Sequence, residues 1–179
     1  VWIFFTWFPT YLVETRHFSL VEAGFWSSLP LVAAVVGNSI GGWASDRLIG
    51  RVGLRRARRR VAVVGFGIAV VFLPLGAVAP TAVSAVACFA VAVGSLELTT
   101  GVSWAVPVDI GGDWAGTVSA LMNTCGNVGG MLSAMAVGWI VEASGRWEPV
   151  FVVAAVACLL AAACWLRIDP EEPVAATEL

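Results

Sequence analysis

Lysine is absent from this 179-residue chain, and histidine and tyrosine occur once each, as His17 and Tyr11. Charged residues make up 12% of the sequence, against about 25% in soluble domains. So few polar side chains cannot cover a water-facing surface, so most of the solvent must be lipid. The four cysteines (Cys88, Cys125, Cys158 and Cys164) lie in apolar stretches and form no Cys-x-x-Cys pair. With His17 distant from all of them, no metal-ligand spacing is present, and the thiols read as small apolar residues. One histidine cannot supply a serine–histidine–acid set, and no glycine-rich phosphate loop follows a strand. No enzyme, cofactor or catalytic residue is therefore expected. No run resembles a nucleic-acid-binding domain, and no nucleic acid is expected as partner.

What remains is apolar: 59% hydrophobic residues and a mean hydropathy of +0.89. The runs are about 20 residues long. That length suits membrane helices and excludes the ~10-residue alternating segments of a membrane barrel. Complete spans are expected at about Leu20–Ala44, Val61–Ala79, Thr81–Val106, Trp114–Val141 and Pro149–Arg167. Residues 1–14 would rise about 21 Å as a helix, short of the ~30 Å of hydrocarbon. This predicts a truncated first helix continued upstream, in a chain that is a fragment. The expected fold is an all-α integral membrane bundle of six helices over residues 1–168. The tail, residues 169–179, is acidic and contains proline, which predicts disorder.

Charge fixes the topology. The segment Asp46–Arg60 (DRLIGRVGLRRARRR) holds seven of the ten arginines. Alternating the sides places eight arginines, the seven plus Arg167, on one side and Arg16 and Arg146 on the other. The positive-inside rule makes the eight-arginine side cytoplasmic. The Arg47–Arg60 loop and the C-terminus are thus expected inside a plasma or inner membrane. Trp43, Trp114, Trp147 and Trp165 fall near span ends, as an aromatic belt would place them.

Few residues inside the spans carry chemistry. Glu97 sits mid-span, where a charge costs about 2.5–3.5 kcal/mol or more. It shares a helix face with Gly101 and Trp104 at i, i+4, i+7. Glu97 reads either as a proton or substrate group lining a pathway, or as a neutral carboxyl bonded to a neighbouring helix. Asn123, Asn127 and Gly130 form a second stripe with the same spacing. Two amides on one face are either interhelical glue or ligand donors and acceptors. Asn38 is a weaker example. Asp46 and Arg47 end the second span, as an interfacial pair or as a gate between transport states. Gly37–Gly41 and Gly126–Gly130 are GxxxG packing motifs, and Pro9 and Pro74 predict kinks.

With these residues in place the chain resembles the major facilitator superfamily. Gly42-Trp43-Ala44-Ser45-Asp46-Arg47, then Gly50-Arg51, is similar to the superfamily's loop motif in its second-half copy, with one extra residue before Gly50. Three segments resemble the anion:cation symporter branch. They are Thr6–Leu12 with Arg16 and Phe18-Ser19; Asp46–Ile49 with Ala57–Arg59; and Gly116-Thr117 with Met122–Thr124, Gly126-Asn127 and Gly129-Gly130. The resemblance implies half of a twelve-helix fold, with the N-terminal half missing. It implies a midplane cavity and rocking-type alternating access. It places substrate contacts at Trp104 and Asn123. Asn127 and Tyr11 are further candidate substrate contacts beside that resemblance, and Asp46, Arg47 and Arg51 are the candidate gating loop. Relatives often carry proline where Ala134 stands, so a hinge there is not implied. The expected function is secondary transport of small organic anions, sugar acids or carboxylates, coupled to H⁺. The alternative is a six-helix membrane channel or scaffold that self-associates.

Overall fold

The computed structural model describes residues 1–174. Among them are helices α1 (Trp2–Thr6), α2 (Phe8–Arg16), α3 (Leu20–Val52), α4 (Leu54–Val78), α5 (Ala82–Gly111), α6 (Ala115–Ser144) and α7 (Glu148–Trp165). A 3-10 turn at Gly112–Trp114 separates α5 from α6, and no strand occurs among the described residues. Four apolar helical runs are long enough to cross a membrane. One of them, Ala82–Ser144, holds 63 residues; it turns back at Gly112, and α5 and α6 pack side by side.

Local signals explain the boundaries. Ser19 and Glu22 close a capping box at the start of α3, and Thr81 and Ser84 do the same for α5. Each pair satisfies backbone N–H groups that the first turn leaves open. The first helix bends at Trp7, between α1 and α2. The bend follows from Pro9, which lacks the N–H that would reach the Phe5 carbonyl and crowds that carbonyl with its ring. The ladder resumes at once, with the Tyr11 N–H donating to the Trp7 carbonyl at 2.9 Å.

The arginine-rich segment is not the loop that its composition predicts. α3 runs on through Asp46, Arg47 and Arg51 to Val52, and α4 begins at Leu54 rather than Val61. Arginine is a good helix former, and outside the hydrocarbon no thickness limits helix length. Gly53 is the joint, at φ 83° and ψ 163°, a conformation open essentially to glycine alone.

α5 is the central helix, packed against α3, α4 and α6. Its approach to α3 is so close that an added Cβ on Gly37 would overlap the Gly94 carbonyl oxygen, and one on Gly41 that of Leu98. The Gly37–Gly41 motif therefore serves packing, as small residues do where lipid removes the hydrophobic drive between helices. At the other GxxxG, Gly130 admits the Trp2 indole while Gly126 faces open space. Phe4, Phe8, Tyr11, Phe89 and Phe151 join the first helix, α5 and α7 in one aromatic cluster, with Phe89 and Phe151 ring centres 4.4 Å apart. Arg16 locks this cluster to the end of α4. Its guanidinium donates to the carbonyls of Gly76, Ala77 and Ala79 at 2.8–3.1 Å, which is where a cation best meets a helix C-terminus.

Residues 169–174 depart from the expected disorder. Asp169 pairs with Arg55 at 3.0 Å, the Arg59 Nε donates to the Ile168 carbonyl at 2.7 Å, and the Val174 N–H donates to the Ile110 carbonyl at 3.0 Å. Basic residues on α4 thus draw in an acidic segment that composition alone marks as unstructured. The remainder of the tail lies outside the described residues.

The α3–α5 contact can be tested with one methyl group. Gly41→Ala should lower stability by about 1–3 kcal/mol, because the obstacle is backbone rather than a flexible side chain. Gly24→Ala, on the same helix with nothing near its Cβ, should be neutral or stabilising by up to ~1 kcal/mol. Thermal unfolding in detergent compares them, and equal shifts would mean the helices are not in backbone contact.

Candidate functional site

The polar members of the α5 and α6 stripes meet in one cavity, while Gly101 of the α5 stripe faces Asn38 and Gly42 of α3. Glu97, Thr100, Ser103 and Trp104 from α5 line one cavity of about 440 Å³ with Met122, Asn123, Gly126 and Asn127 from α6. Trp2 and Phe5 of α1 close its side. Trp2 carried no signal in the sequence. It reaches the cavity because Gly130 lacks a side chain there.

The polar inventory of the cavity is specific. Asn127 Nδ2 donates to the Asn123 carbonyl at 2.8 Å and to Asn123 Oδ1 at 3.2 Å. This leaves the Asn123 amide donors and the Asn127 carbonyl oxygen without a described partner. The indole N–H of Trp104 is likewise unclaimed, and its side chain is 46% exposed in this chain. Glu97 is half-buried and bonds to no described residue. The arrangement offers N–H donors and one carboxyl to a small polar molecule.

Tyr11 does not join this group. It is 1% exposed, stacked among Phe8, Phe89, Trp147 and Phe151, and its hydroxyl accepts from Arg16 Nε at 2.8 Å. Its neighbours make it part of the aromatic cluster. Its position on the helix face away from Trp2 and Phe5 keeps it out of the cavity.

The expected Asp46–Arg47 pair is replaced by a hub on Arg58. Arg58 is 7% exposed; it donates to Ser45 Oγ at 2.9 Å, Asp46 Oδ1 at 3.0 Å and Asp109 Oδ2 at 3.1 Å. One planar fork thus ties α3, α4 and α5 together. Arg47 instead lies over the Trp43 ring, 5.5 Å from its centre, and Arg51 is exposed with no described partner. Sequence reasoning passed over both Arg58 and Asp109. Arg58 was hidden in an arginine run, and Asp109 fell in a stretch read as a connection.

The sequence matches the Major Facilitator Superfamily over residues 1–134 and 116–179. It is 37% identical over 171 residues to the protein named "Probable sulfoacetate transporter" of Cupriavidus necator, covering 95% of this chain and 40% of that protein. It is 32% identical to the "Ascorbate transporter, chloroplastic" of Arabidopsis thaliana, over 91% of this chain and 30% of the relative. It is also 32% identical to the "Probable galactarate/D-glucarate transporter" of Escherichia coli, over 92% and 37%. The chain spans less than half the length of each. With five spans following the bent first helix, and a family match running the length of the sequence, this chain belongs to the Major Facilitator Superfamily.

Proposed function

We propose that the protein carries small organic anions across a membrane by secondary, proton-coupled transport with alternating access. The observation that carries the reading is the cavity shared by α5 and α6, where Glu97, Trp104, Asn123 and Asn127 meet. The names of the relatives, which include sulfoacetate, ascorbate and galactarate or glucarate, support an anionic substrate.

The chemistry follows from the donors. Asn123 and Trp104 present N–H groups to a carboxylate or sulfonate, while Asn127 Oδ1 accepts from a hydroxyl. Glu97 supplies the coupling. A carboxylate about 5 Å from a bound anion is repelled by roughly 3 kcal/mol at an effective dielectric near 20. Protonating Glu97 removes that repulsion, so anion and proton favour each other's binding to the same extent. Release on a side of higher pH then discharges both.

The positive-inside rule puts the arginine-rich end and the C-terminus in the cytoplasm. There Arg58, Asp46 and Asp109 hold three helices in one arrangement, with Arg47 and Arg51 on the exposed face. A transport cycle that shifts these helices works against that hub.

Four outcomes check the proposal. Uptake of a radiolabelled sugar acid by reconstituted full-length protein should collapse with a protonophore, and uptake that persists would favour a channel. Trp104→Ala or Asn123→Ala should raise KM by about tenfold or more, the loss of one to two kcal/mol of ligand contact. Unchanged KM in both would move the site elsewhere. In wild type, uptake should rise as external pH falls, and Glu97→Gln should flatten that profile while leaving binding intact. At the gate, Arg58→Gln should cost about 2–3 kcal/mol of stability because it strands buried partners. Asp46→Asn should cost under ~1 kcal/mol, since the Asp46 side chain is 70% exposed.

A further inference from the structure

A second cavity, of about 410 Å³, lies at the start of α4 and is lined by Val52, Arg55, Arg56, Arg59 and Glu171. It is separate from the transport cavity and takes no part in the proposed cycle. We infer that it is a binding site for the phosphate of an anionic phospholipid headgroup, and that the acidic tail segment Asp169–Glu171 is its internal competitor.

Three observations lead there. The first is charge. Three guanidinium groups face one small volume, and planar guanidinium forks match phosphate oxygens. Asp169 and Glu171 offset only part of that charge, and Arg56 has no described partner.

The second is depth. The apolar run of α4 starts at Val61. At 1.5 Å per residue, Arg55–Arg59 lie about 3–9 Å beyond it along the helix axis. The headgroup layer, about 5–8 Å thick on each side of the hydrocarbon, occupies the same depth. A lipid phosphate therefore meets this cavity without leaving its leaflet, whereas a soluble anion must come from bulk water.

The third is that an anion already sits there, weakly held. The Arg55 backbone N–H donates to Glu171 Oε1 at 3.3 Å, and the Arg55–Asp169 pair is 47% and 24% exposed. Exposed pairs of this kind contribute ~0–1 kcal/mol. Meanwhile the backbone pins at Ile168 and Val174 involve no carboxylate. The two acidic side chains can swing out and be replaced while the tail stays tethered.

The test counts phosphatidylglycerol retained by the full-length protein. The protein is extracted from phosphatidylcholine nanodiscs doped with that lipid and read by native mass spectrometry. Arg56→Gln leaves every described tail contact in place and should lower retention about fivefold, the effect of one basic residue near an anionic surface. Asp169→Asn with Glu171→Gln should change retention in the opposite direction and raise it, an effect that misfolding would not produce. Unchanged retention in Arg56→Gln, or no gain in the tail variant, overturns the assignment. Phosphatidylcholine retained as well as phosphatidylglycerol would overturn it too. Inorganic phosphate that displaces the lipid at equal concentration would reassign the site to a soluble anion.

Discussion

Everything in this chain depends on how closely α5 can approach α3. In lipid, burying apolar surface against a neighbouring helix gains little, because the acyl chains are just as apolar. Helices must associate through close backbone contact and dispersion, which fall off within a fraction of an ångström. Gly37 and Gly41 provide that contact, since nothing larger fits against Gly94 and Leu98. Gly65 does the same on the other flank, where an added Cβ would meet the Ser95 carbonyl oxygen and the Thr99 methyl. α5 is gripped from two sides by backbone, and its remaining face is free to carry polar groups.

The division of labour on α5 follows from helical periodicity. Ser95, Leu96, Thr99 and Val102 are buried in packing. Glu97, Thr100 and Trp104 turn to the cavity. Ser95 and Thr99 direct their hydroxyls to carbonyls one turn back, at 2.8 and 2.7 Å, so they add no polar demand to the interface. A polar stripe can therefore coexist with a tightly packed one on the same helix. The arginine-rich end repeats the pattern with charge: Arg58 is buried and shared by three helices, while Arg55, Arg56 and Arg60 are exposed.

Much of this could be read from the sequence because lipid makes strict demands. Span number and approximate position follow from hydropathy, and Glu97, Trp104, Asn123 and Asn127 stand out because polar groups in hydrocarbon are rare. The misses have a common physical origin. Outside the hydrocarbon the demand lapses, so composition could not separate a loop from the helical extensions through Arg51 and Arg55. Nor could it show that α4 would hold the segment at Asp169. Tyr11 was misleading because a lone polar aromatic in a span suits a ligand contact and an aromatic cluster equally. Its role is decided by Arg16 five residues on and by Phe89 and Phe151, which are remote in sequence. Arg58 differs from its neighbours only in facing Asp109 on another helix, a pairing that no local pattern encodes.

The two walls of the cavity between α5 and α6 are not held alike. α5 buries residues along its whole length, whereas α6 buries only Gly130 and Val137. Within this chain the Trp104 and Glu97 wall belongs to the more deeply packed helix. A molecule bridging both walls gains most where α6 sits closest to α5. The Asn123–Asn127 contact lies within α6 and adds no hydrogen bond to α5, while the Trp7 indole N–H ties α6 to the first helix by donating to the Ala134 carbonyl at 3.1 Å. The two helices that line the cavity are thus packed differently: α5 is held by glycine contacts to α3 and α4, and α6 meets the first helix where Gly130 admits Trp2.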